Sequence, residues 1–182
     1  MVEKREMKND VCGGGRSTPK RDLIIDFLYL DLNTCERCMG TDETLESALK
    51  DCTGILEILG YQIRLHKVNI TSPELAVKYR FFSSPTIRVN GQDICSEVME
   101  NNCGDCGDIC GDHVDCRTFA YEGQIYERPP KAMIIDGIFR AIYSQKLDVD
   151  KTYTIPDNLE RFFSGIKIDG SSACCTCGGS CK

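Results

Sequence analysis

The chain has 182 residues, 41% of them hydrophobic and 27% charged, which is enough apolar material for one core and too little for two full domains. No stretch approaches the roughly 18–20 uncharged apolar residues that cross a bilayer, and the charged start has no hydrophobic segment behind it, so neither a membrane span nor a secretory signal is expected. Twenty-two basic against 28 acidic residues leave a net charge of −6, which argues against nucleic-acid binding, since that needs a basic footprint.

Residues 1–21 read as a tail of alternating charges followed by Cys12 and three glycines. A single domain is expected over residues 22–165. Leu23–Leu32 reads as a strand buried on both faces, because Leu, Ile, Phe and Tyr crowd it with little alternation. Cys35-Glu36-Arg37-Cys38 follows. Leu45, Ala48, Leu49, Cys52, Ile55, Leu56 and Leu59 then recur at helical spacing, with Thr41 or Asp42 as cap and Gly60 as stop. Cys52 falls on that apolar stripe and reads as core.

Tyr61–Ile70 predicts a second strand, and Pro73 opens a short helix through Tyr79. Thr86–Val89, Asn90-Gly91 and Gln92–Ile94 spell a hairpin with a two-residue turn. Periodicity disappears in the Cys, Gly and Asp of residues 95–116. A second small hairpin is expected from Thr118–Tyr121 and Gln124–Tyr126 around Glu122-Gly123. After Pro129-Pro130, a helix carries Ile134, Ile135, Ile138, Phe139 and Ile142 on one face. A last short helix is predicted over Asp157–Ser164 with Gly165 as its stop, and residues 166–182 form a cysteine-rich tail. This order is a βαβ unit followed by a ββα unit, an α/β class with a mixed parallel and antiparallel sheet and helices on both faces.

Thirteen cysteines are an odd number, so they cannot all pair within the chain. With no export signal the expected location is cytoplasmic, where structural disulfides are rare and cysteines are redox-active, metal-binding or buried. Cys35 and Cys38 stand between a strand and a helix, where helix N–H groups favour the thiolate and a second sulfur can resolve a mixed disulfide. Met39-Gly40-Thr41 predicts that the helix itself begins near Asp42, leaving both sulfurs on a loop. Ser83-Ser84-Pro85-Thr86-Ile87 places an X-Pro bond at a strand entrance; a cis proline there presents the preceding backbone to a substrate strand.

Cys35-x-x-Cys38, the run Lys67–Ile70 through Lys78-Tyr79, and Ser84-Pro85-Thr86 together resemble the thioredoxin-like superfamily. The resemblance implies a thioredoxin-like fold and a thiol–disulfide oxidoreductase. In it Cys35 would attack and Cys38 resolve, while Ser84, Pro85 and Thr86 position the disulfide of a protein or small molecule; no cofactor is required. Thr34 stands where that superfamily has an aromatic residue, and Tyr29 where thioredoxins carry a buried acid. The stretches Cys116–Gly123 and Tyr126–Ala132 are similar to a functionally uncharacterised prokaryotic thioredoxin-like family, which implies no particular reaction.

The insert repeats Cys-Gly-Asp three times and offers Cys103, Cys106, Cys110 and Cys116 as thiolate ligands for zinc or an iron–sulfur cluster, with Cys95 and His113 in reach. In the tail, Cys174, Cys175, Cys177 and Cys181 on a Gly-Ser strand suit capture of a soft ion, or relay of electrons to the domain. A second function therefore stands beside the enzyme: a protein that binds, delivers or detoxifies a soft metal or metalloid such as zinc, mercury, copper(I) or arsenite. Organometallic cleavage would need a carboxylate beside two thiols, and only Asp31 and Asp42 flank the motif.

Overall fold

A computed structural model describes residues 20–95, 97–144 and 152–170. Its first sheet has the order β2-β1-β3-β4. The central strand β1 (Arg21–Tyr29) pairs in parallel with β2 (Tyr61–Asn69), in register from Arg21 opposite Tyr61 to Tyr29 opposite Asn69. Helix α1 (Glu36–Ile58) makes the crossover between them. On its other side β1 pairs antiparallel with β3 (Thr86–Val89), which turns into β4 (Gln92–Asp93). That turn takes Asn90 and Gly91 to φ 51° and 82°, the left-handed pair that an Asn-Gly hairpin requires.

Each face of this sheet carries its own core. Leu23, Ile25 and Phe27 of β1 meet Leu45, Ala48, Cys52 and Leu56 of α1, together with Ile134 and Ile138 of α4 (Lys131–Tyr143). Gly137 is needed there, because a Cβ would press on Ile94 at 2.8 Å. On the opposite face Leu28 and Leu30 join Ala76 of α2 (Pro73–Tyr79), Phe81, and Leu159, Phe162 and Phe163 of α5 (Asp157–Gly170). Burial of β1 on both faces is confined to its C-terminal end. Nearer its start the second face is wet, with Asp22 bridging Arg64, Asp26 bridging His66 and Ile24 partly exposed. Alternation there was masked by Ile24, an apolar residue in a solvent position.

Residues 95–116, expected to lack regular structure, contain β5 (Met99–Asn102), α3 (Gly104–Cys110) and the start of β6 (Asp115–Tyr121). With β7 (Gln124–Tyr126) these strands form a second sheet in the order β5-β6-β7. Helix α5 continues through Gly165 to Gly170 where a stop was expected. The glycine is there for closeness: a Cβ on Gly165 would overlap the Cys110 carbonyl of α3. Asn158 holds the other end of α5 to the insert, donating to Glu100 at 2.7 Å and to the Asp115 carbonyl at 3.1 Å. The architecture is mixed α/β, and among the described residues no helix is long and apolar enough to cross a membrane. The expected tails, with Cys12, Cys174, Cys175, Cys177 and Cys181, lie outside the described residues.

Candidate thiolate centre

Asp31 starts the site. Its Oδ1 accepts the backbone N–H of Asn33, Thr34 and Cys35 at 2.9, 2.5 and 3.1 Å, turning the chain from β1 into the helix. Burial works to raise its carboxyl, but the donors at Thr34, Cys35 and Asn33 outweigh that and hold it below the usual carboxylate range. The carboxylate therefore serves backbone amides.

Helix α1 begins at Glu36 with Cys35 as its N-cap, six residues before the expected start near Asp42. Met39 N–H reaches the Cys35 carbonyl at 3.0 Å, and Thr41 bonds back to the Arg37 carbonyl within the helix. Gly40 sits inside the helix because the Arg128 side chain lies against it. Cys38 thus belongs to the first turn of a 23-residue helix.

The insert repeats this arrangement. Cys103 is the N-cap of α3, and Cys103-Gly104-Asp105-Cys106 is a second CxxC at a helix start. Asp105 joins the two helix starts, its Oδ2 accepting the Glu36 N–H of α1 at 2.8 Å. The Cys35 sulfur consequently lies 3.9 Å from that of Cys103 and 3.8 Å from that of Cys106. These three sulfurs all fall within 4.8 Å of one another, a spacing that can hold a metal ion. Cys116 of β6 touches Cys106 at 3.4 Å. Cys35, Cys106 and Cys116 have no exposed surface and Cys103 has 4%. Among the described residues every cysteine is a free thiol.

Charge is divided unevenly among these sulfurs. Hydrogen bonds from Cys106, then Cys116 and Cys35, pull the Cys103 thiol well below its ordinary range. The same contacts with Cys103 push Cys35, Cys106 and Cys116 above it. Cys38 is lowered, first by its bond with Cys35 and, against burial, by Ser84.

Arg37, in the middle of the first CxxC, is the clamp that sequence reading missed. Its guanidinium donates to the carbonyls of Cys116 at 2.9 Å and Arg117 at 3.3 Å, and pairs with Glu127 at 3.1 Å. It is buried, so the fork ties the motif to β6 in a low-dielectric setting. Its charge alone gives no hint of this. The usable signal was the second CxxC, which invites pairing with the first.

The Ser84–Pro85 peptide bond is cis. Ser84 Oγ lies 3.3 Å from the Cys38 sulfur and accepts the Leu30 N–H at 3.1 Å. The Ser84 carbonyl, expected to face a partner strand, accepts the N–H of the chain's own Arg117 at 2.7 Å. Thr86 Oγ1 donates to the Ser83 carbonyl at 2.6 Å and accepts from the Arg117 guanidinium at 3.1 Å, which also pairs with Asp93 at 2.8 Å.

The four sulfurs expected to act together in the insert are split. Cys110 turns towards the carbonyls of Gly107 and Asp112, at 3.8 and 3.6 Å, because α3 carries it one turn beyond Cys106 and towards α5. Cys95 lies in the other core, where burial pushes its thiol up to about 11. His113 is exposed and faces Asp115 at 3.5 Å. Cys52 packs in the α1 stripe, as read from its spacing. Beside the centre, a cleft of about 230 Å³ lined by Glu36, Arg37, Asp105, Glu127 and Arg128 reaches Cys103.

The model of a domain of unknown function, DUF2703, matches residues 23–138, which covers both CxxC motifs, Cys116 and most of α4. The chain belongs to that family. It is 27% identical over 113 residues to an uncharacterised protein of Archaeoglobus fulgidus, an alignment covering 58% of this chain and 77% of that protein. No solved structure matches it.

Proposed function

We propose that this protein binds a soft metal or metalloid ion, using the CxxC of the domain and the cysteine insert as one thiolate centre on a thioredoxin-like framework. The observation that carries this reading is the convergence of Cys35, Cys103 and Cys106 within 4.8 Å, from segments 68 and 71 residues apart. Three buried sulfurs this close cannot all ionise unless a cation shares their charge, and thiolates select ions such as zinc, copper(I), mercury and arsenite. The insert also covers the face that a disulfide reductase keeps open, since Arg117 occupies the Ser84 carbonyl and Cys35 has no exposed surface. Metal analysis with thiol counting on anaerobically purified protein tests the reading. Stoichiometric metal, lost in Cys35→Ser and in Cys103→Ser, is expected. Metal-free protein that takes up none of these ions on titration would overturn it.

One observation favours thiol–disulfide exchange as a second reading: Cys35 caps a long helix, and Cys38, two residues on, lies against Ser84. Exchange then requires the insert to move aside. Cys35→Ser is expected to abolish disulfide reduction and Cys38→Ser to accumulate a mixed disulfide with the substrate. Full reduction by Cys35→Ser excludes it.

A further inference from the structure

The sequence offers an obvious fourth ligand, because two CxxC motifs present Cys35, Cys38, Cys103 and Cys106 as two pairs of thiolates. The geometry selects another. Four sulfurs held at ~2.3 Å around a tetrahedral ion stand ~3.8 Å apart. Cys35–Cys106 at 3.8 Å and Cys35–Cys103 at 3.9 Å already match that edge. Cys116 approaches Cys106 at 3.4 Å. Neither Cys116 nor Cys38 belongs to the group of three mutually close sulfurs, but Cys116 lies against one of its members whereas Cys38 lies against Ser84 Oγ at 3.3 Å.

We infer that Cys116 completes a tetrahedral four-sulfur site with Cys35, Cys103 and Cys106, and that its ligand is a single divalent thiophilic ion of the zinc class. This rests on the metal-binding reading above and narrows it. A trivalent metalloid is satisfied by three thiolates. An iron–sulfur cluster of four irons takes one thiolate per iron and spreads its cysteines around an inorganic core, farther apart than these sulfurs lie. Four buried thiolates around a divalent ion retain a net charge of −2, and the Arg37 guanidinium is held close by, bonded to the Cys116 carbonyl. Carbonyl-bound Arg37 fixes the β6 backbone that carries Cys116 over the helix starts that carry Cys35 and Cys103. No coordination position is left for water, so the site is a closed one for holding an ion.

Cobalt(II) titration of the reduced full-length chain under anaerobic conditions tests this. One cobalt per chain is expected, with tetrahedral ligand-field bands and a sulfur-to-cobalt charge-transfer band. Cys116→Ser should lower the charge-transfer intensity by about one quarter, one thiolate in four, and weaken cobalt binding at least about tenfold. Cys110→Ser should leave both unchanged. Should the loss appear in Cys38→Ser and not in Cys116→Ser, the assignment of Cys116 is overturned while metal binding stands. If the folded wild-type chain gives no thiolate–cobalt band, the four-sulfur site falls, and the broader reading falls with it only if copper(I), mercury and arsenite are refused as well. X-ray absorption of the zinc-loaded wild-type chain decides the matter if Cys116→Ser fails to fold. Four sulfurs at one distance support the site; three sulfurs, or a metal–metal vector, overturn it.

Discussion

Arg37 and Cys95 show how far one side chain's surroundings alter what its residue type suggests. Arg37 reads in sequence as a charged spacer between two cysteines, yet its fork holds the insert down. Truncation would leave the Cys116 and Arg117 carbonyls buried without this donor, so Arg37→Ala is expected to cost about 2–4 kcal/mol in urea unfolding. It should also speed alkylation of Cys35, measured by peptide mapping after short exposure to iodoacetamide. Arg37→Lys should recover only part of this, because one ammonium cannot reproduce a planar fork. Cys95 makes the opposite point. Burial lifts its thiol to about 11, so below that pH it is mostly protonated and a poor nucleophile. Its alkylation is expected to be slow at pH 8 and to rise steeply towards pH 11; fast reaction at pH 8 would contradict the partly buried position.

At the scale of elements, the hydrophobic stripes of α1 and α4, the Asn-Gly hairpin and the Pro73 helix start were legible because each depends on local periodicity or turn chemistry. The start of α1 was not. Gly40 reads as a breaker and Thr41 as a cap, whereas Gly40 accommodates the Arg128 side chain and Thr41 bonds to its own helix. The insert was illegible for a related reason. A seven-residue helix with two Gly, two Asp and two Cys has little intrinsic propensity, and α3 is held by packing against α5 and by its two buried cysteines. Gly165→Ala tests that contact. Its methyl group would meet the Cys110 carbonyl, and a loss of about 1–3 kcal/mol in thermal or urea unfolding is expected, against the gain that Gly→Ala normally gives in a helix. Unchanged or raised stability would show that α3 and α5 do not pack this closely. Of the site, the first CxxC was readable as chemistry. Its meeting with Cys103 and Cys106 was not, because no local pattern records a contact across 68 residues.

For the molecule as a whole, the proposed metal site would tie ion binding to folding and to pH. Zinc at about one hundred times its dissociation constant should stabilise the chain by ~2.7 kcal/mol, and a chelator should remove that increment. The pH dependence has a definite sign. Cys35, Cys106 and Cys116 hold their protons more tightly than ordinary thiols, so an incoming ion must displace them. Acid favours the protonated, empty form. Zinc affinity should therefore fall as pH drops from 8 to 6, measured by competition with a chromophoric chelator, and a flat profile would mean that these thiols are not the ligands.

The insert lies over the first CxxC through a few links: the Arg37 fork, the Asp105 carboxylate on the Glu36 amide, the Arg117 amide on Ser84 and the meeting of sulfurs. An ion shared by Cys35 and Cys103 would add a staple closing a loop of nearly seventy residues, and one that a competing chelator can withdraw. With the staple gone, the strand over Ser84 keeps its hydrogen bonds and the Arg117–Asp93 pair, and its lifting would bare Cys35 and Cys38, the pair proposed for disulfide exchange. On the proposed reading, ion release and thiol exposure would be successive states of one hairpin, and emptying the protein would make it reactive.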